Sequence, residues 1–340
     1  MRVLTKAAVA GTLSVLLLLL FAAAIFGLGV GPAGLPPGEI LSLLVGDDTI
    51  GSTADIVFRV RWPRVMLASL VGACLAVSGV LFQALLRNPL ADPYVLGVSG
   101  GAALGGIAVL SFGSALGLGA SAVPPAAFTG AILTTLLLYA IAGSGGRVSA
   151  TNLLLTGVVF NAFASAAIVF MASIAGLSDG ANIFLWLIGS LSASRIDVAP
   201  WVAAFLVVGL ATALPMARNL NLLALGEEGA SQLGVEVERV KRWLLVSTSL
   251  MVGAAVSVAG LIGFVGLIIP HLLRLILGPD HRLLVPAAAI GGAVFLVVCD
   301  TFARSLLGGR ELPVGAITAI AGGPLFLWLL RRHHLRGIRA

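Results

Sequence analysis

Charge is scarce in this sequence. Asp, Glu, Lys and Arg make up 10% of its 340 residues, where a soluble globular domain carries about 25%. Such a chain cannot cover its own surface in water. Cysteine is scarcer still. Cys74 and Cys299 both sit inside apolar runs with no C-x-x-C pairing, so no disulfide framework is indicated. No G-x-x-x-x-G-K-[ST] phosphate loop occurs, since the glycine cluster from Gly143 to Gly146 lacks the lysine. No H-E-x-x-H occurs, and His271, His281, His333 and His334 form no metal-ligand constellation with the cysteines. There is no nucleophile-and-base arrangement either. The expectation is therefore a chain that is not an enzyme and binds no cofactor or metal. Its energy source is another chain or a gradient. A proton-driven pump normally buries several acids, and here only Asp300 lies well within an apolar span.

What the chain has instead is apolar length. It is 59% hydrophobic, with a mean hydropathy of +1.11, and apolar stretches recur from end to end. Each is roughly 20 residues, long enough to cross a hydrocarbon core about 30 Å thick. The runs are continuous and not alternating, which excludes an outer-membrane barrel. Windows bounded by charge, Pro and Gly predict ten spans, near 7–30, 64–86, 93–112, 122–142, 151–175, 197–216, 242–261, 263–278, 284–306 and 313–330. The eighth is short and contains Pro270, so a broken or re-entrant helix is expected there. The first has a basic start like a signal peptide, but its apolar part exceeds the 7–15 residues of a signal h-region, so it reads as a retained span. The expected class is an all-α polytopic membrane protein with one transmembrane domain over residues 1–340.

Orientation follows from the bias of Lys and Arg toward the cytoplasm. With the N-terminus inside, fourteen of the twenty basic residues fall on the cytoplasmic side. Both termini are then cytoplasmic in a multi-pass inner-membrane protein. The net charge of +6 sits at span ends, where topology places it, and does not imply nucleic acid. The six outside residues are Arg59, Arg61, Arg64, Arg195, Arg304 and Arg310, and three of them crowd into the stretch FRVRWPRVML.

Four features stand out between or within the spans. Residues 218–242 form the longest polar cytoplasmic stretch. Leu222, Leu223, Leu225, Leu233, Val235 and Val237 are spaced there as short amphipathic pieces hinged at Gly226, Gly229 and Gly234. Glu227 and Glu228 open the second piece, where a helix N-terminus favours acids. A plain linker needs no such apolar positions, so a lever gripped by a cytoplasmic partner is expected. Residues 88–93, NPLADP, make a tight turn ahead of Gly97, Gly101 and Gly105, whose spacing leaves one helix face nearly bare for close packing. The fifth span carries Thr151, Asn152, Thr156, Asn161 and Ser165. Gly157, Asn161 and Ser165 share a face that either lines a wet conduit or bonds neighbouring helices. Asp300 and Arg304 stand one turn apart in the order that favours an ion pair.

Several motifs occur together and in order from about residue 40 to 330. They are Arg61, Trp62, Pro63 and Arg64; Ser78 and Gly79 with Gln83; NPLADPYVLGVSGGA from Asn88 to Ala102; and Asn152 to Gly157. LGEEGASQLGV from Leu225 to Val235, GFVGLIIPHLLR from Gly263 to Arg274, Asp300 to Arg304, and ELPVGAITAIAGGPLFLW from Glu311 to Trp328 complete the set. In these the chain resembles the FecCD-type permeases, the membrane subunits of ABC importers for iron-siderophores, haem and cobalamin. The resemblance implies a type II importer permease of ten helices that pairs with a second, identical subunit. It implies two cytoplasmic ATP-binding subunits, which use ATP and Mg, gripping Leu225, Gly226, Glu227, Glu228, Ala230, Leu233 and Gly234. It implies a periplasmic or lipid-anchored binding protein whose carboxylates dock on Arg61, Arg64 and Arg304, in the bidentate manner that suits guanidinium. It further implies a cytoplasmic gate at Asn88, Leu90 and Thr151, and a pathway lined by Thr156, Asn161 and Ser165. An iron(III)-siderophore is favoured as the metal-chelate cargo, with cobalamin or haem the alternative. From another class, a stand-alone secondary transporter or channel is the competing reading.

Overall fold

The computed structural model describes residues 5–35, 38, 52–144, 147–191, 196–307 and 311–337. Arg2, Arg195, Arg310 and Arg339, four of the residues used to orient the chain, lie outside these. Twelve helices are numbered here in chain order. They are α1 (Lys6–Gly29), α2 (Trp62–Leu85), α3 (Val98–Phe112), α4 (Val123–Ala142), α5 (Ala150–Ile174) and α6 (Gly176–Ile188). Then come α7 (Ala199–Leu223), α8 (Glu227–Gln232), α9 (Val237–Ala259), α10 (Val265–Leu277), α11 (His281–Ser305) and α12 (Val314–Gly337). A two-residue antiparallel pair, β1 (Gly143–Ser144) and β2 (Arg147–Val148), precedes α5.

Among the described residues seven helices are long and apolar enough to cross a membrane, and three shorter apolar helices, Val98–Phe112, Val265–Leu277 and Val314–Leu329, take up the remaining expected spans. The eighth span is short but not broken at Pro270: α10 runs continuously from Val265 to Leu277 with Pro270 inside it, which corrects the expected interruption. Residues 260–263 are non-helical, and Phe264 enters α10 with φ +70°. The 13 residues of α10 rise only about 20 Å at 1.5 Å each, short of the roughly 30 Å hydrocarbon core.

Two segments differ from the sequence reading. No element was expected between the fifth and sixth spans, yet α6 forms there. The arginine stretch is not a loop. Ser52–Asp55 is helical and Ile56–Arg61 is a π-helix that runs straight into α2. Pro63, which has no N–H to give the ladder, falls where this π-helical turn passes into α2.

The centre of the bundle is α2, buried along almost its whole length. It packs on α11 where Gly72 faces Gly292, and a Cβ on either glycine would overlap the carbonyl oxygen of the other. Bare backbone lets the two axes approach as closely as small-residue membrane interfaces do. Gly101 and Gly105 of the expected bare face do the same against Gly130 and Ala126 of α4. Gly97 does not share that role. It caps the 3-10 turn Pro93–Leu96 with φ +85°, a conformation that only glycine adopts without strain. The outer helices expose apolar side chains, such as Leu18 and Phe21 of α1 and Phe163 and Phe170 of α5, as a lipid-facing surface requires.

Candidate functional site

At one end of the bundle the three arginines assigned to docking are interior groups. Arg61, Arg64 and Arg304 are 2%, 4% and 3% exposed. Arg61 donates through Nη1 to the carbonyls of Leu28 (2.6 Å) and Gly29 (2.8 Å) and through Nη2 to Ala33 (2.6 Å). It thereby satisfies the carbonyls left unpaired at the negative end of α1. Arg64 donates through Nε to Asp300 at 2.9 Å and through Nη1 to Glu311 at 2.8 Å. Arg304 Nη2 donates to the Gly27 carbonyl at 2.8 Å, and its Nε lies 3.2 Å from Asp300 Oδ2 as an ion pair. The expected outward-facing arginine surface is thus corrected. A buried carboxylate, Asp300, together with the end of α1, draws these guanidinium groups inward, because a charge out of water must be paired. The outward-facing guanidinium of the stretch is Arg59, whose side chain is 82% exposed beside Asp55. Glu311, at 39%, is the half-open member of the cluster.

At the other end, two segments far apart in sequence form a cavity of about 290 Å³ lined by Asn88, Leu90, Asp92, Val95, Thr151 and Leu154, with Ala150 beside them. All three residues assigned to the gate meet here. Asn88 Oδ1 accepts the Leu90 N–H at 2.9 Å, which shapes one wall. Ser149 Oγ accepts the Asn152 N–H at 3.4 Å and starts α5, the other wall. Burial pushes the Asp92 carboxyl up to about 6, although its bond from the Tyr94 N–H, at 2.9 Å, pulls the other way. Asp92 was not among the sequence-assigned gate residues; its place in the NPLADP turn was the only sign of it.

The residues assigned to a pathway fare differently. Asn161 is not a free lining group. Its Nδ2 donates to the carbonyls of Tyr94 (2.8 Å) and Val95 (3.2 Å), and Gly157 lies against Leu96. The Tyr94 carbonyl also accepts from the Gly97 N–H and Ser99 Oγ, so the amide braces the 3-10 turn against α5. Thr156 is half-buried and Ser165 is exposed. α5 is held by a single buried stripe, Leu153, Gly157, Ala164 and Ile168. The rest of its circumference is open, with Leu155 at 64%, Val159 at 63% and Phe163 at 61%.

The polar stretch after α7 folds into a defined hook. Gly226, at φ +107°, turns the chain into α8, whose first turn carries Glu227 and Glu228. At its end the Val235 N–H donates to the Ala230 carbonyl (3.0 Å) and the Gly234 N–H to Ser231 (3.0 Å), with Gly234 at φ +85°. That is a Schellman closure, which calls for glycine at this position. Ala230 is buried beneath, while Leu225 and Leu233 stand 69% and 60% exposed. A surface groove of about 930 Å³ runs beside them, lined by Glu227, Glu228, Ser231, Gly234, Glu236 and Arg239. Leu225, just before the six-residue helix, and Leu233, at its C-terminal cap, thus leave two apolar side chains open at this end of the bundle.

The structure is a multi-pass bundle with a small cavity and an exposed hook at one end. The profile of the FecCD transport family matches residues 16–332, and the chain belongs to that family. Among curated relatives, the cobalamin import system permease protein BtuC of Halobacterium salinarum is 45% identical over 83% of this chain and 75% of its own length. The hemin transport system permease protein HmuU of Yersinia pestis is 42% identical over 82% and 83%. A solved structure described as an inward-facing ABC transporter of metal-chelate type superposes with TM-score 0.83 at 30% identity, over 95% of this chain and 99% of that one. The chain is a membrane permease subunit of an ABC importer for metal chelates.

Proposed function

We propose that two copies of this chain carry a macrocyclic metal chelate, of the cobalamin or haem type, inward across the cytoplasmic membrane. Two ATP-binding subunits grip α8 from the cytoplasm, where both termini lie, and a binding protein loads cargo at the opposite end. The observation that supports this reading is the hook: exposed Leu225 and Leu233 flank a short helix closed at its C-terminus by a Schellman turn, on the same side of the bundle as the cavity at Asn88, Leu90 and Thr151. The names of the relatives at 45% and 42% identity support a macrocycle as cargo. The binding protein meets Arg59 first. Its carboxylates reach Arg64 only by displacing Glu311, while Arg61 and Arg304 hold α1 in place. Along α5, Thr156 and Ser165 remain as polar lining, and Asn161 shapes the wall.

The test is co-reconstitution with the cognate ATP-binding subunits and binding protein in liposomes, supplied in turn with labelled cobalamin, haemin or a ferric siderophore. ATP-dependent uptake of cobalamin or haemin is the expected result. Uptake of the siderophore alone transfers the cargo to the class first favoured from sequence. Uptake by the chain without any ATP-binding subunit refutes the importer mechanism in favour of a stand-alone transporter.

A further inference from the structure

The Glu227 carboxylate, half-buried at the base of α8, has each of its oxygens on a different arm. Oε2 accepts from Lys241 Nζ at 2.6 Å, and Oε1 lies 3.6 Å from Arg87 Nη2. Arg87 is the residue immediately before Asn88, at the root of one gate wall. Lys241, on the first turns of α9, is 4% exposed. Its three donors all find acceptors: Glu227, Glu238 at 3.1 Å, and the Val148 carbonyl at 2.9 Å. An ammonium has three N–H groups, so Lys241 is fully used. Glu238 in turn accepts the Val148 N–H at 2.9 Å, so both backbone groups of Val148 are held. Val148 is two residues before Ala150, the start of α5 and of the other gate wall.

We infer that Glu227 and Lys241 are positioning residues that transmit movement of α8 to both walls of the cytoplasmic gate at once. This rests on the reading of the chain as an ATP-driven permease. A pull on α8 moves the Glu227 carboxylate. The short bond to Lys241 carries that displacement to Val148 and α5, and the longer contact to Arg87 carries it to residues 88–92. Two acids and two bases balance within the cluster, and it is anchored on the buried Lys241 although Arg87, Glu227 and Glu238 stay partly exposed. A passive loop has no reason to bury a lysine at this joint.

The test uses the complex of the full chain with its ATP-binding subunits. Leu90→Cys, a gate residue, is labelled with a maleimide with and without ATP; the native Cys74 and Cys299 are buried and contribute little background. In this background the labelling rate should change at least about fivefold with ATP, the low end of ordinary coupling between sites. Lys241→Met should abolish that change while ATP hydrolysis continues, and Lys241→Arg, which keeps charge and donors, should retain it. A gate that answers ATP equally well in Lys241→Met overturns the proposal. Where Lys241→Met gives too little complex, Glu227→Gln serves with the same expected loss: it removes the charge that holds both Lys241 and Arg87, while Lys241 keeps Glu238 and the Val148 carbonyl. If the Leu90→Cys gate without further change is indifferent to ATP, the ATP-driven reading itself falls, and this inference with it.

Discussion

Replacing Asp300 by Asn tests whether the arginine cluster is a structural unit. The Asp300 side chain is 1% exposed, and its oxygens face Arg64 at 2.9 Å and Arg304 at 3.2 Å. The substitution keeps the shape and removes the charge, leaving two guanidinium groups close together in the interior. Removing one member of a buried pair costs about 3–5 kcal/mol. Arg64 retains Glu311 and Arg304 retains the Gly27 carbonyl, which places the loss at the lower end, about 3 kcal/mol. The control is Asp55→Asn beside Arg59, an exposed i, i+4 pair with side chains 66% and 82% open. It should cost no more than about 0.5 kcal/mol. Denaturant titration of the purified protein in detergent measures both. A cycle with Arg304→Met should return part of the loss, because one of the two unpaired charges is gone. If Asp300→Asn is as mild as the Asp55 control, the cluster is not held together by that carboxylate. Its arginines would then be available to an outside partner after all.

Gly79→Val should be severely destabilising, because any Cβ there overlaps the Gly266 carbonyl of α10. Overpacking of this kind costs about 1–3 kcal/mol or more, and a variant melting with the parent would show that α2 and α10 do not touch at this point. Asp92 gives a pH prediction with a definite sign. Its carboxyl in the folded chain is raised to about 6 from an ordinary 3.8, so between those values the folded state holds a proton that the unfolded state has lost. Stability from this group is therefore greatest in acid, declines as pH rises through that window, and is flat above it. Asp92→Asn should remove that component from the stability-versus-pH curve, and superimposable curves for parent and variant would contradict the assignment.

Much of this molecule was legible in the sequence because bilayer physics is written along the chain. Apolar length, breaks at Pro and Gly, and charge at the ends predicted ten apolar segments. Among the described residues a helix forms in each, seven of them long enough to cross a membrane. The expected break at Pro270 did not form, because α10 carries that proline inside a continuous helix. The coupling hook was legible for a similar reason: Gly226 and Gly234 are needed for local turns, and Glu227 and Glu228 for a helix start. The gate residues were named from a resemblance, and the fold brought Asn88, Leu90 and Thr151 to one cavity. What sequence could not say was which way a polar side chain points. Arg61, Arg64 and Arg304 looked like a surface because charge at a span end usually is one. Asn161 looked like a lining group because polar residues on a helix face often are. Their partners, Asp300, the end of α1 and the carbonyls of Tyr94 and Val95, are up to 277 positions away. Apart from the local Asp300–Arg304 pair, only packing brings them within hydrogen-bonding reach, and at that range the cost of an unpaired buried charge or carbonyl decides where a side chain goes. The sequence alone determined which segments are apolar and long enough to be spans and where glycine must turn the chain, because those depend on local composition. The tertiary structure decided which charges pair within the bundle, because their partners are distant in sequence.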